Sequence, residues 1–172
     1  MSPVGLGDTA TGDPSLVGAF RIDRDGVWHH EGVEVTHPGV LRNLYANLRR
    51  DGETYHLQTG PFRVPVDVAD TPFVVVRAEV DRDAGTVEMH LTDGTRERLR
   101  PETLRLDADE VPRCRVKDGQ FPARLSLAAW LQLAPSVELD PGSGHAILAL
   151  GDRQFVLRGG ERSGEDPTTP AP

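Results

Sequence analysis

Three histidines and a glutamate stand close together early in the chain and are the first residues to test for metal chemistry. His29, His30 and Glu31 are consecutive, and His37 follows shortly after. A mononuclear zinc site needs three ligands that converge at about 2.0–2.2 Å from the ion. Because neighbouring residues of a strand point to opposite faces, at most one of His29 and His30 can join His37. We therefore expect exposed strand histidines, and the sequence predicts no metal and no cofactor.

Two serines are candidate nucleophiles, and each has a simpler explanation. Ser126 precedes a helical apolar pattern, where its hydroxyl would cap the helix. Ser143 lies in a glycine-rich segment, residues 141–145, that runs into a strand pattern. Nucleophile elbows and phosphate loops lead into a helix instead, so this segment is expected to be a plain turn.

Cys114 is the only cysteine, so no internal disulfide can form. Arg113 and Arg115 flank it, and positive charges lower the pKa of a thiol. In a strand, however, both neighbours would face the other side of the sheet. We therefore expect a half-buried, unreactive thiol, and no nucleophile–base pair can be assigned in the sequence.

Arginine is the remaining residue type with chemistry to offer, because its planar guanidinium binds carboxylates and phosphates through two parallel hydrogen bonds. Lys117 is the sole lysine among 19 basic residues. The candidates for an anion site, with two aromatic residues on which a ring could stack, are Arg49, Arg50, Arg113, Arg115, Arg124, Trp28 and Tyr55. The alternative is that these arginines are solvated and the two aromatic residues belong to the core.

Composition restricts the possible partners. The 172 residues carry a net charge of −8 that is spread along the chain, which disfavours binding to duplex nucleic acid but leaves a small anionic ligand possible. No apolar run approaches the 18 or so residues of a membrane-spanning helix. Residues 1–16 lack the basic start and apolar core of a secretory signal, so we expect a cytoplasmic protein that does not bind membranes.

The first half of the chain predicts strands around one good helix. Asp25-Gly26 predicts a hairpin turn, and strands are expected at residues 20–23, 27–30, 33–35, 55–58, 62–68 and 73–80. Thr36 or His37 would cap the helix, Arg49 and Arg50 would lie at its end, and Gly52 would terminate it. Its predicted apolar face comprises Val40, Leu41, Leu44, Tyr45 and Leu48.

The second half repeats this order of elements. Strands are expected at residues 86–91, 96–99, 103–106, 113–117 and 120–125, with a turn at Asp118-Gly119. A short helix then follows Ser126, stops at Pro135 and leads to strands at 145–150 and 154–158. The predicted apolar face of this helix comprises Leu127, Trp130, Leu131 and Ala134.

Together these patterns predict an α+β protein of two tandem β-rich units, each with one main helix. The shared order of elements, beginning at Asp25-Gly26 and again at Asp118-Gly119, indicates an internal duplication. Both ends of the chain are polar and lack periodicity, which is typical of disordered tails. The predicted boundaries are a tail at 1–17, units at 18–82 and 83–159, and a tail at 160–172.

Residues 25–32, 48–57 and 70–73 carry a resemblance to a known group of proteins. With these segments the chain resembles the bacterial domain-of-unknown-function family number twelve eighty-five, from about residue 20 to residue 158. The resemblance implies a duplicated α+β core whose second half is similar to a pleckstrin-homology domain. It also implies a site for a nucleotide-like ligand between the halves and a role in signal transduction. The chain departs from the family pattern at residues 59–63, Thr-Gly-Pro-Phe-Arg.

Three hypotheses of function follow. The first is a binding module that senses a small anionic or nucleotide-like ligand between its units. The alternative is a protein–protein adaptor that uses its β-rich surface or an exposed strand edge and needs no small-molecule ligand. An enzyme is the weakest hypothesis, because the sequence offers no assignable catalytic set.

Overall fold

The computed structural model describes residues 19–159, and the chain divides into two compact units between Pro72 and Phe73. The sequence led us to expect the division after Arg82. The strand from Phe73 to Asp81 instead pairs with two later strands, Thr86–Leu91 and Phe121–Leu125, and so belongs to the second unit. The predicted tails, residues 1–17 and 160–172, lie outside the described residues.

The first unit is one mixed sheet with one helix. Its sheet order is β3-β2-β1-β6-β5-β4, in which β1 and β6 run parallel and every other pair is antiparallel. Its core contains Ile22, Trp28, Leu48 and Leu57. The elements are β1 (Phe20–Ile22), β2 (Trp28–His30), β3 (Val33–Glu34), α1 (Pro38–Asn47), β4 (Leu48–Asp51), β5 (Thr54–Thr59) and β6 (Phe62–Val68).

Helix α1 begins as predicted and ends early. The Nδ1 atom of His37 accepts hydrogen bonds from the backbone N–H groups of Gly39 and Val40 at 3.1 and 3.4 Å, so His37 is the cap. The prediction that Arg49 and Arg50 end the helix is wrong, because both lie on β4. This strand pairs with β5 across a turn at Gly52, whose φ of +61° suits glycine, and sheet hydrogen bonds replace further helical ones.

The second unit is a nine-stranded sheet with one short helix. The sheet order is β13-β14-β15-β10-β11-β12-β7-β8-β9, with parallel pairs at β15/β10 and β12/β7. Short 3-10 helices occupy Pro101–Thr103 and Ala134–Ser136. The elements are β7 (Phe73–Asp81), β8 (Thr86–Leu91), β9 (Arg96–Arg98), β10 (Arg105–Leu106), β11 (Pro112–Val116), β12 (Phe121–Leu125), α2 (Leu127–Leu133), β13 (Val137–Leu139), β14 (Ala146–Leu150) and β15 (Arg153–Gly159).

Helix α2 has the predicted cap and a different buried face. The Ser126 hydroxyl accepts a hydrogen bond from the N–H of Ala129 at 3.1 Å, as the sequence predicted. Ala129 and Leu133 are buried, whereas Leu127 and Leu131 are 71% and 61% exposed, so the prediction is wrong for these two leucines; Trp130 and Ala134 are half-buried. The helix packs on β7, and with only seven residues it presents a single pair of positions to that strand.

Two sets of six strands share one topology. In the first unit the order is β4-β5-β6-β1-β2-β3, and in the second it is β13-β14-β15-β10-β11-β12. Each set has one parallel pair at its centre, β6/β1 and β15/β10, and antiparallel pairs elsewhere. In each set the helix connects the two outermost strands. Strands β7, β8 and β9 are additional to this pattern, and the architecture as a whole is α+β.

The hairpins that follow β1 and β10 have the same pattern of hydrogen bonds to an aspartate. Asp23 Oδ1 accepts from the N–H groups two and four residues later, at 2.9 and 3.0 Å. Asp107 Oδ1 does the same, at 2.9 Å in both cases. The structure therefore aligns residues 23–27 with 107–111, whereas the sequence led us to align Asp25-Gly26 with Asp118-Gly119. The likeness of the second unit to a pleckstrin-homology domain stays a prediction.

Candidate functional site

Four arginines lie side by side across the second unit. Arg113 on β11 faces Arg105 on β10 and Arg124 on β12, and Arg105 faces Arg158 on β15. Residues directly opposite in neighbouring strands share a face of the sheet. We call Arg105, Arg113, Arg124 and Arg158 the arginine row.

The arginine row collects positive charge along a line. Neighbouring strands are about 4.7–4.9 Å apart, so a row over four strands spans about 14 Å. Arg115 lies two residues beyond Arg113 in β11 and therefore on the same face. The structure thus brings together three predicted site residues, Arg113, Arg115 and Arg124. It adds Arg105 and Arg158, which sequence reasoning missed because strand register cannot be read from this sequence.

One ion pair anchors the arginine row. Arg113 Nε donates to Asp107 Oδ2 at 2.6 Å, and the two side chains are only 19% and 22% exposed. Burial raises the pKa of Asp107, but hydrogen bonds from Arg113 and from the N–H groups of Val111 and Asp109 outweigh it and hold that pKa below its usual value. Within residues 19–159, no carboxylate forms an ion pair with Arg105 or Arg158, and both are exposed.

The equivalent row in the first unit is balanced in charge. Arg21 on β1 faces Asp67 on β6 and His29 on β2, and His29 faces Glu34 on β3. Arg21 and Asp67 approach to 3.7 Å. His29 Nε2 lies 2.9 Å from Asp23 Oδ2, in the position that Arg113 Nε takes beside Asp107. The shared topology therefore does not require arginine at these four places.

The predicted site residues of the first unit fall in different environments. Trp28 is 1% exposed and packs edge-to-face against Tyr45, with ring centroids 5.5 Å apart. Arg50 and Tyr55 are direct cross-strand partners and half-buried. Arg49 points to the other face, where its Nη1 donates to the carbonyl oxygens of Ala46 and Leu48 at 2.9 and 2.8 Å. Arg49 thus satisfies carbonyl groups at the end of α1. A stacking role for Trp28 or Tyr55 stays a prediction.

The three histidines near the start of the chain, His29, His30 and His37, make separate structural contacts that do not converge. His29 pairs with Asp23, His37 caps α1, and the His30 ring lies 4.5 Å from the ring of Phe20. His30 and His37 are exposed, whereas His29 is half-buried.

The remaining nucleophile candidates are also accounted for. The Ser143 hydroxyl donates to the Asp140 carboxylate within a turn that leads into β14, as the sequence predicted. Cys114 is 3% exposed, more buried than expected, and its Sγ lies 3.8 Å from Met89 Sδ. Burial, together with a smaller effect of the negative charge of Glu97, raises the pKa of Cys114 to about 12. Such a thiol is protonated and unreactive at neutral pH.

The fold and the arginine row define an α+β protein of two β-rich units, one of which presents a basic sheet face. No protein-family profile matches the chain, and no curated protein matches it. Two crystal structures do. A DUF1285 family protein from Silicibacter pomeroyi DSS-3 matches with a TM-score of 0.68 and 24% identity over 81% of this chain and 79% of that one. A DUF1285 family protein from Shewanella baltica OS155 matches with a TM-score of 0.59 and 19% identity over 68% of this chain and 91% of that one.

These two likenesses confirm the resemblance read from the sequence. At such identities they show a shared fold, that of DUF1285 family proteins, whose function is unknown. Within the described part of the chain, no helix has the length and apolar character needed to cross a membrane.

Proposed function

We propose that this protein is a non-catalytic binding protein whose second unit holds a phosphorylated small molecule on the arginine row. The comparison of the two equivalent rows carries the proposal. One row is Asp67, Arg21, His29 and Glu34, and the other is four arginines. Like charges directly opposite each other destabilise a sheet. Because Asp107 balances Arg113, it is the exposed Arg105 and Arg158, at positions where the same topology accepts mixed charges, that indicate a ligand supplying negative charge.

The chemistry of the arginine row suits phosphate. A guanidinium forms paired, charge-assisted hydrogen bonds to phosphate oxygens, and each such bond contributes about 1.5–3 kcal/mol. A row of about 14 Å can contact more than one phosphate group. The net charge of −8 opposes long polyanions, so the row favours a small ligand over nucleic acid.

We further propose that the phosphorylated ligand is nucleotide-like and that the protein senses it in signal transduction, as the family resemblance implies. We also infer that the two units arose by duplication, which the matching strand orders and the matching Asp23 and Asp107 hairpins support. A role without catalysis is supported by the structural roles of Ser126, Ser143 and Cys114.

A thermal-shift screen tests the proposal. The purified chain is heated with pyrophosphate, nucleoside mono-, di- and triphosphates and sugar phosphates, with sulfate at equal ionic strength as the control. A ligand present at about 100 times its Kd stabilises the folded state by about 2.7 kcal/mol. We expect at least one phosphorylated compound to raise the melting temperature well above the sulfate control. Equal shifts for every compound and sulfate would contradict the proposal.

A protein–protein adaptor is the second candidate, and one observation favours it. Leu127 and Leu131 form an exposed apolar stripe on α2, and Val76 on the neighbouring strand is 44% exposed. Exposed apolar patches mark interaction surfaces. The test is to replace Leu127 and Leu131 by serine and to compare partners captured by the full chain and by the variant. A partner that depends on these leucines and not on the arginine row would favour the adaptor.

A further inference from the structure

Two glutamates and a histidine meet on one face of the second unit, on the strands β7 and β8. Glu79 and Glu88 are direct cross-strand partners, and His90 lies two residues beyond Glu88 on the same face. The sequence did not reveal this group, because its members come from two strands and show no metal-ligand spacing along the chain.

The donor atoms of this group have the spacing of ligands around one ion. His90 Nε2 lies 3.3 Å from Glu79 Oε1 and 3.8 Å from Glu88 Oε1. The three donor atoms all lie within 4.8 Å of one another. Two bonds of about 2.1 Å at a tetrahedral angle hold their donor atoms about 3.4 Å apart. A cation can therefore sit among these atoms after small side-chain adjustments.

A second observation concerns the imidazole. The Nε2 atom of His90 is shielded from solvent and has no hydrogen-bond partner in the described part of the chain, although it faces two carboxylates. Buried polar atoms are almost always satisfied, so such an atom needs an explanation. Glu79 and Glu88 are, in addition, like charges directly opposite each other, and each already pairs with one arginine. A cation bound between the carboxylates would give the His90 nitrogen a partner.

An open cavity gives a cation access to two of the three ligands. Glu79 and Glu88 line a solvent-connected cavity of about 600 Å³, together with the acidic residues Asp81 and Asp83 and the basic residues Arg82 and Arg98. The volume of this cavity leaves room for water ligands. His90 is not part of the lining, and its side chain is 19% exposed, so a cation would reach the carboxylates first.

Two arginines hold the carboxylates in place. Arg77 Nη2 lies 3.0 Å from Glu79 Oε1, and Arg96 Nη1 lies 3.5 Å from Glu88 Oε1. In both glutamates the arginine contacts the same Oε1 atom that faces His90, so a bound cation would share that oxygen or, after the carboxylate rotates, use Oε2. Hydrogen bonds of this kind orient metal ligands and support affinity.

We propose that Glu79, Glu88 and His90 bind a divalent transition-metal cation, with Zn²⁺ as the probe. One imidazole nitrogen and two carboxylate oxygens suit this class, whereas Mg²⁺ and Ca²⁺ prefer oxygen ligands alone. Three protein ligands leave a fourth position for water, as in zinc sites that are not closed. This site is separate from the arginine row and shares no residue with it.

Calorimetric titration of the metal-free full chain with Zn²⁺ tests the proposal. We expect one equivalent to bind, and Glu88→Gln and His90→Ala to weaken that binding by more than about 100-fold, because loss of a ligand exceeds the 10–100-fold effect of an orienting group. The matched controls are Glu102→Gln and His145→Ala, two exposed residues elsewhere in the second unit. Both controls should bind as the parent does.

Cobalt gives a second readout that does not depend on stability. Co²⁺ bound to nitrogen and oxygen ligands at low coordination number absorbs visible light, and we expect this absorption in the parent and in both controls but not in Glu88→Gln. The exposed Glu88 tolerates an isosteric change, so this variant keeps the test valid if His90→Ala unfolds. Two results would overturn the proposal. One is zinc binding that survives in both ligand variants, and the other is a heat of zinc injection into the parent protein no larger than that of injection into buffer alone.

Discussion

Arg113 Nε donates to Asp107 Oδ2 at 2.6 Å across the hairpin between β10 and β11, and this contact joins a turn to the arginine row. The same aspartate also accepts two backbone hydrogen bonds that form the turn. Asp107 therefore links the conformation of the hairpin to the position of one guanidinium in the row. In the first unit, His29 and Asp23 make the same link without creating a basic face.

This link predicts an acid-dependent loss of stability. The pKa of Asp107 is below its usual value of 3.8, so the ionised carboxylate stabilises the folded state above about pH 4, and that stability is lost as pH falls through the folded-state pKa. Asp107→Asn cannot pair with Arg113 as a charge. We expect the variant to be less stable than the parent near pH 7, with a difference that shrinks as the pH falls below about 4. Urea unfolding at a series of pH values measures it.

Asp23 serves as the internal comparison for this prediction. Burial raises its pKa, but hydrogen bonds from His29, Val27 and Asp25 outweigh that and lower it, so Asp23→Asn should show the same direction of pH dependence. A difference between Asp107→Asn and the parent that is constant with pH would show that the ion pair does not contribute.

The observed face of α2 predicts opposite outcomes for two leucines of one helix. Leu133→Ala removes a fully buried side chain and should lower the free energy of unfolding by about 2–5 kcal/mol. Leu131→Ala changes a side chain that is 61% exposed, and its effect should stay within about 0.5 kcal/mol. Chemical denaturation of the two variants measures both values. Equal losses would mean that the helix buries the face predicted from the sequence.

The thiol of Cys114 should be inert in the folded protein. It is buried and its pKa is raised to about 12, so almost no thiolate is present at pH 7–8. We expect a thiol reagent such as Ellman's reagent to react with one equivalent in urea and with almost none in buffer. Fast reaction under native conditions would contradict the burial of this side chain.

Turn and cap positions could be predicted from the sequence because they depend on local chemistry. The hairpin at Asp25-Gly26, the His37 cap, the Ser126 cap and the turn at Ser143 all rest on contacts between residues a few positions apart. The α+β class and the family resemblance followed from the same local patterns. The end of α1 failed because residues 48–51 can continue a helix or pair with β5, and sheet pairing decides between these states.

The arginine row could be predicted only in part, for a related reason. Arg113 and Arg124 were candidates, but Arg105 lies on a two-residue strand and Arg158 near the end of the described chain. Their alignment depends on the register of β10 with β11 and β15, which is set by packing between distant segments. The likeness of the two hairpins is visible in the sequence, since residues 20–27 and 104–111 both contain the Asp-x-Asp-x-Val pattern, but the prediction aligned Asp25-Gly26 with Asp118-Gly119 instead.

Binding of a phosphorylated ligand by the arginine row is tested most directly by a comparison of equivalent positions in the two units. Arg105→Gln and Arg158→Gln remove exposed members of the row, and Arg21→Gln removes the first-unit counterpart of Arg105. Each is titrated calorimetrically with pyrophosphate, or with the best compound of the screen, at constant salt. We predict that both row variants bind more weakly by about 1.5–3 kcal/mol with unchanged folding, and that Arg21→Gln binds as the parent does. Equal affinity in all four proteins, or an equal loss at Arg21, would contradict the account.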